Sequence, residues 1–428
     1  VTKVTLNHAI TIRPQTDIAY FADSVAMSPH HRRFTGLVVI FVAAACSKPD
    51  VKDQPKAPAR AIAESPIELC DYCPPGFELT HDGRCILRTA YQLYGSLQNA
   101  GVGGLQTALP RWRDGFTPRQ IDLGRYLFFD PVLSRHKNLS CASCHSPTLG
   151  FSDGRPRSLG NRAELKRGAP SLWNVAFLKA FFWDARATTL EEQMTGPLFD
   201  RAEMGNTPDS LVQALNSIDA YKKLFMSAFA QSDHISIEQV YTALAAFESS
   251  LISLNSRYDR YVHGNHQALT RHEIEGFNIF RSFVARCSEC HTPPLFTNQQ
   301  IAVLGAPEPD SLPLDPGAEK TFRQASLRGG FKVPSLRNAE LTAPYMHSGA
   351  FGSLRDAVEF YTKGRGHAVP PGEKLSIHWH IWDPMLSDTE IDRLVDFLKT
   401  LTDESFRPRI PDRVPSGLPV TYLNPSVP

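Results

Sequence analysis

The 428-residue sequence has no excess of either charge: 45 Lys and Arg stand against 44 Asp and Glu, for a formal net charge of +1. Without a charged field to attract phosphates, it offers no basis for a nucleic-acid partner or a strongly basic membrane face. Few stretches alternate between apolar and polar with period two, which excludes a sheet-rich fold, and no short-period repeat suggests a solenoid. The apolar run from Leu37 to Ala45 is too short to cross a bilayer as a stable helix. What remains is ordinary for a globular chain, with 42% hydrophobic and 21% charged residues and length for two or three domains. Its 33 prolines predict many loops between helices.

Residues 1–45 read as a signal region. Arg32 and Arg33 form a basic stretch before the short apolar run, small residues follow, and Met27 is placed to be the true start. Ala43-Ala44-Ala45-Cys46 resembles a lipobox, which makes Cys46 a lipid-anchored first residue; ordinary cleavage nearby would leave it a plain thiol. Either way the chain is expected to be exported to the periplasm, membrane-anchored where Cys46 is lipidated. Residues 46–66, rich in Lys, Pro, Ala and Asp, read as a flexible tether. Residues 67–104 form a small module with Cys70, Cys73 and Cys85. In an exported chain, three close cysteines suggest a disulfide staple rather than a metal site, and the odd number leaves one thiol over.

From residue 117 the signals are helical. Thr117 with Gln120 and Pro118 opens one helix, Ser236 with Gln239 a second, Thr270 with Glu273 a third, and Ser387 with Glu390 a fourth. Their apolar stripes (Val240, Leu244, Phe247, Leu251; Ile274, Phe277, Phe280; Ile391, Leu394, Val395, Leu398) are core faces. One similarity runs between the two halves: each has a capped helix leading to a Cys-x-x-Cys-His.

Those motifs are Cys141-Ala142-Ser143-Cys144-His145 and Cys287-Ser288-Glu289-Cys290-His291. Two thiols about one turn apart can form thioethers to the two vinyl groups of a heme, which holds the adjacent imidazole beneath the ring as the iron ligand. At this composition chance supplies roughly 0.005 copies. A four-Cys zinc site or two redox dithiols would not account for a His after both pairs. The sequence therefore predicts two covalently bound hemes c, with Cys141, Cys144, Cys287 and Cys290 as attachment points and His145 and His291 on the irons. Whether each sixth position is open decides between peroxide chemistry and electron transfer alone.

The surrounding segments resemble the bacterial diheme cytochrome c peroxidase and MauG superfamily over roughly residues 105–405. The markers are Phe128-Phe129-Asp130-Pro131, Ala169-Pro170-Ser171-Leu172-Trp173-Asn174, Phe182-Trp183-Asp184-Ala185-Arg186, Glu192-Gln193, Ala202-Glu203-Met204, Val333-Pro334-Ser335-Leu336-Arg337-Asn338 and Thr342-Ala343-Pro344-Tyr345-Met346-His347-Ser348-Gly349. The resemblance implies a mainly α fold of two cytochrome c-like helical domains with one covalent heme each: residues 105–265 around the peroxide-reacting heme, and 266–408 around the electron-transfer heme. The Cys-rich module precedes them and 409–428 follow as a C-terminal tail. It further implies that Glu203 is the distal carboxylate, that Gln193 and Pro197 line the same pocket, and that Trp183 lies between the hemes.

Two positions separate branches of this family. Where reductively activated peroxidases carry a distal His on the first heme, this sequence has Gly160, and no His occurs between His145 and His234. Where peroxidases carry a distal Met on the second heme, it has Tyr361, the hallmark of the MauG-like branch. Met346 and Met385 stand as alternatives if the alignment slips. Other positions depart from the family pattern. A calcium site would use the carbonyls of Thr342 and Pro344, but its Asn is replaced by Gly168. MauG's surface-side Trp, two residues before the second motif, is Ala285, so any electron route to a protein substrate starts elsewhere. The expected activity is hydrogen peroxide-driven formation of a high-valent diheme state that oxidises a Trp or Tyr of an exported partner protein. The alternatives are a peroxidase fed by a small cytochrome or copper protein, and a diheme electron-transfer cytochrome.

Overall fold

The computed structural model describes residues 66–92, 94, 108–161, 163–230, 234–309 and 312–422. The signal region, Met27, Cys46 and nearly all of the tether lie outside the described residues. No helix among the described residues is long and apolar enough to cross a membrane.

Helices dominate, and the four anticipated capping boxes are all present: Thr117/Gln120, Ser236/Gln239, Thr270/Glu273 and Ser387/Glu390. Each cap hydroxyl accepts an otherwise orphaned N–H while the Gln or Glu side chain reaches back to the cap N–H, so helix starts are fixed locally. These four helices form two pairs. Helix Pro118–Phe129 packs on Ile237–Ser249, and helix Arg271–Phe280 packs on Asp388–Lys399. Both crossings are closer than any side chain would permit. A Cβ on Gly124 would lie 1.8 Å from the Ala243 carbonyl, and one on Gly276 would lie 1.9 Å from that of Arg393. Glycine at these two places is therefore a packing requirement.

Each pair anchors an aromatic core. Phe128, Phe129, Phe151, Trp173 and Phe247 cluster in the first half, and Tyr258, Phe277, Phe280, Phe296 and Phe397 in the second. Among the described residues, sheet is confined to two antiparallel two-stranded ribbons, Phe77–Leu79 with Cys85–Leu87 and Ile301–Val303 with Gly330–Lys332, in registers Phe77↔Leu87 and Ile301↔Lys332.

The Cys-rich module is stapled by a Cys73–Cys85 disulfide, and Cys70 is the thiol left over among the described residues. It is tied to the first half where the Cys70 N–H donates to Asp122 at 3.0 Å, and to the second where the Tyr94 hydroxyl donates to Asp259 at 3.1 Å. Asp259 also accepts two hydrogen bonds from fully buried Arg337, at 2.6 and 2.7 Å, so this cation is neutralised where water cannot reach it. The segment after residue 408 returns to the first half. Ser416 Oγ donates to Asp130 at 2.7 Å, Ser140 Oγ donates to the Thr421 carbonyl at 2.6 Å, and buried Val414 joins the first core. It acts as a strap beside the first Cys-x-x-Cys-His.

Candidate functional site

The two Cys-x-x-Cys-His segments are built alike. A short helical turn over Cys141–Ser143, and another over Cys287–Cys290, places the paired thiols one turn apart. The following histidine is then fixed by backbone carbonyls. His145 Nδ1 lies 3.0 Å from the Phe151 carbonyl, and His291 Nδ1 lies 3.1 Å from those of Phe296 and Pro334. A carbonyl can only accept, so Nδ1 carries the proton and Nε2 keeps the lone pair that an iron needs. Burial disfavours the charged imidazolium, pushing His145 down and His291 down to about 4, so both rings are neutral. Burial likewise pushes the thiols up, Cys144 and Cys287 to about 12.

The loops that supply these carbonyls are themselves duplicated. Ser171 Oγ donates to the Gly150 carbonyl at 2.7 Å, and Ser335 Oγ donates to that of Leu295 at 2.5 Å. Asn174 and Asn338 both adopt left-handed backbone, at φ 63° and 59°, and spend their side-chain amides on distant main chain. Paired thiols beside a neutral, carbonyl-oriented imidazole, twice over, fit two hemes c.

Gln193 and Pro197 lie one turn apart on helix Leu190–Phe199. The chain then turns back, with the Met204 N–H donating to the Pro197 carbonyl at 3.0 Å, which brings Glu203 over the end of that helix. Glu203 is half-buried. Burial raises its pKa, Asp200 adds to the effect, and Arg186 opposes it. Its charge is also felt at Cys144. Gly160 sits against this same turn: a Cβ there would lie 1.9 Å from the Ala202 carbonyl, while the Asn161 N–H donates to that carbonyl at 2.9 Å. No side chain fits at 160 in this backbone, a histidine least of all.

The second site opens onto a cavity of about 300 Å³ lined by Cys287, Cys290, His291, Tyr361 and, from the first half, Trp183. Trp183 is held by its indole N–H, which donates to the Gly168 carbonyl at 2.9 Å, and by its own carbonyl, which accepts from the Lys332 N–H at 2.7 Å. Tyr361 belongs to helix Leu354–Thr362. Burial, then the Cys290 and Cys287 thiols, push its phenol upward. Met346 also lines the cavity, whereas Met385 is 82% exposed. Thr342, Pro344 and Gly168 all line this cavity. The Gly168 N–H donates to the His347 carbonyl at 3.0 Å, and its own carbonyl is taken by Trp183, so its main chain is already committed.

Three features went unseen in the sequence. Lys332 is half-buried and pushed down to about 8 by desolvation. Glu248 is buried near Cys141 and pushed up to about 8 by burial and by Glu191, against Arg113. His380 and Trp382 line the second cavity from a loop with no helical stripe. The run His378-Trp379-His380-Ile381-Trp382 was the available signal: two histidines and two tryptophans in five residues outside any periodic segment.

With the geometry in place, comparison with known proteins is direct. The family model for di-haem cytochrome c peroxidase matches residues 118–267. The methylamine utilization protein MauG of Methylorubrum extorquens is 36% identical over 290 residues, covering 67% of this chain and 79% of that protein. The cytochrome c551 peroxidase of Nitrosomonas europaea is 34% identical over 307 residues, covering 70% of this chain and 86% of that one. Among solved structures, a MauG-like protein associated with microbial copper homeostasis superposes with a TM-score of 0.64 at 32% identity, covering 69% of this chain and 93% of that one. The mainly helical architecture and the resemblance read from the motifs are both borne out: the chain belongs to the diheme cytochrome c peroxidase and MauG family of heme-dependent, peroxide-using oxidoreductases.

Proposed function

We propose that this protein uses hydrogen peroxide to withdraw electrons from an aromatic residue, Trp or Tyr, of an exported partner protein, as the MauG-like branch does. The observation that carries the reading is Tyr361, whose phenol lines the second cavity with Cys287, Cys290 and His291. A phenolate is a hard anionic ligand that favours oxidised iron, where a Met would favour reduced iron. When bound, the hemes supply the iron on which the O–O bond of peroxide is broken and the capacity to hold two oxidising equivalents.

The residues of the chain do the rest. His145 and His291 offer Nε2 in the tautomer that the carbonyls of Phe151, Phe296 and Pro334 impose. Glu203, raised above the ordinary carboxylate range, takes a proton from the near oxygen of peroxide and returns it to the leaving oxygen. Gln193 and Pro197 shape the same pocket. Gly160, closed against Ala202, offers no side chain that could ligate iron, so a heme held by His145 would be accessible to peroxide without prior reduction. Trp183, fixed at both its indole N–H and its carbonyl, is the aromatic bridge between the halves. The balance is one peroxide, two protons and two electrons giving two waters, with both electrons drawn from the partner.

Export to the periplasm, with Cys46 as a lipid anchor, belongs to this reading, as does a calcium ion on the carbonyls of Thr342 and Pro344. The likeness to a protein associated with copper homeostasis supports an exported copper-handling partner. The second reading, a peroxidase turning over with a small cytochrome or copper protein, is supported by the 34% identity to a cytochrome c551 peroxidase. The deciding experiment adds peroxide to ferric wild-type and Tyr361→Phe holoprotein while following the optical spectrum. A long-lived spectral change in the wild type and its loss in the variant are expected; an unchanged variant would remove Tyr361 from the iron.

A further inference from the structure

The replacement of MauG's surface tryptophan by Ala285 leaves the second heme site without its familiar exit. The loop at 378–382 reaches the same site from another direction. Cys290, one of the two heme-attachment sulfurs, has its Sγ 4.0 Å from His380 Nδ1. The His380 ring in turn meets the Trp379 indole with centroids 3.6 Å apart. Trp379 is 61% exposed, so two contacts lead from the attachment sulfur to solvent.

This arrangement is braced by charge. Glu289, inside the attachment motif, lies 2.8 Å from Arg286 Nε and 2.7 Å from His380 Nε2, and the Arg286 guanidinium covers the Trp379 ring at 4.9 Å. One carboxylate thus positions both neighbours of the indole and offsets the Arg286 charge above it. The surroundings suit a macromolecule better than a solute. Phe283, Val284, Trp382 and Met385 are exposed large apolar side chains, and they belong to the two segments that supply Ala285, Arg286, His380 and Trp382 to the cavity wall. Apolar side chains around a redox-accessible edge are what a docking protein buries and a small donor does not need.

We propose that Trp379 is the residue through which electrons enter from the partner protein, passing by His380 and the Cys290 sulfur to the second heme, with Arg286 and Glu289 as positioning residues. This rests on the reading of the protein as a peroxide-driven oxidant of a protein substrate. Each electron taken from Trp379 is replaced by one from the partner's aromatic residue, so the indole is unchanged after two transfers. Without a partner the indole itself is consumed. It loses two electrons and two protons as water supplies an oxygen to the ring, and peroxide takes up both electrons and both protons. The sum is tryptophan plus hydrogen peroxide giving hydroxytryptophan plus water.

The test treats ferric holoprotein with hydrogen peroxide in the absence of any donor, digests it, and maps the oxygen added to each tryptophan by mass spectrometry. The same peroxide is given to heme-free chain, and to Trp379→Phe and His380→Ala holoprotein. The expected result is hydroxylation concentrated at Trp379 in wild type, absent from the heme-free chain, and at least tenfold lower in His380→Ala, where the indole stays exposed but its bridge is gone. Trp379→Phe should keep the full spectral response to peroxide, because that response needs the hemes, the Glu203 pocket and Tyr361, and Trp379 lines neither that pocket nor the Tyr361 cavity. Oxidation at Trp382 in place of Trp379, equal marking with and without heme, or marking unaffected by His380→Ala would each overturn the relay while the spectral response stands. Failure of wild type to respond to peroxide at all would overturn the functional reading and the relay with it.

Discussion

Glu248 sits on the last turn of helix Ile237–Ser249, 6% exposed, with no hydrogen-bond partner for its Oε2 among the described residues. Burial is the main cause that moves its ionisation from the ordinary 4.5 up to about 8; nearby Glu191 adds to it and Arg113 opposes it. Arg113 is largely spoken for, since it donates two hydrogen bonds to Glu191, and so offers Glu248 little relief. A carboxyl whose pKa is raised by folding favours the folded state fully at pH below 4.5. That contribution is lost as pH rises through about 8. At 1.36 kcal/mol per tenfold change in proton affinity, the whole swing amounts to about 5 kcal/mol. Relaxation and water entry around the carboxylate would reduce it to about 3 kcal/mol. The assay is urea unfolding of the holoprotein at intervals between pH 5 and 9, with wild type beside Glu248→Gln. Wild type should lose stability up to about pH 8 and then level off, while the variant, uncharged throughout, loses about 3 kcal/mol less. Parallel curves for the two proteins would refute the assignment of a buried, neutral Glu248.

Gly160→Ala places a methyl 1.9 Å from the Ala202 carbonyl, so the turn carrying Glu203 must move. The variant should melt lower, by about 1–3 kcal/mol of overpacking, and react more slowly with peroxide; unchanged melting would mean the loop is free to give way. Glu203→Gln keeps the shape of the side chain but cannot shuttle a proton. Stopped-flow measurement of the spectral response to peroxide should show a fall of about 10²–10⁴ in rate with the resting spectrum unaltered. A rate within threefold of wild type would remove Glu203 from the chemistry.

Local chemistry made part of this molecule legible. Capping boxes, Cys-x-x-Cys-His turns and the duplicated Pro-Ser-Leu-x-Asn segments (170–174 and 334–338) are encoded in neighbouring residues, and each appears where its pattern places it. What stayed hidden depends on residues distant in the chain. Gly160 stands out in the sequence only as the position that lacks the family's distal His; that no side chain fits there emerges once Ala202 is brought against it. Glu248 follows an apolar stripe and looks like a helix-end carboxylate until the first core closes around it. The segment after 408 reads as a tail because its few apolar residues have no period, yet Asp130 and Ser140 supply it with polar partners almost three hundred residues away. Trp379 and His380 carry no periodic signal at all; their meaning comes from the 4.0 Å approach to Cys290.

The most direct test of the account is to add hydrogen peroxide to the fully ferric protein with no reductant present, following optical and EPR spectra together. One high-spin and one low-spin heme at rest, and an immediate response to peroxide, are the expected result under the proposed function, in which Gly160 would leave the first site open and Tyr361 would fill the second. Two low-spin hemes, or no response until one heme has been reduced, would contradict it and return the protein to the reductively activated peroxidases or to electron carriers.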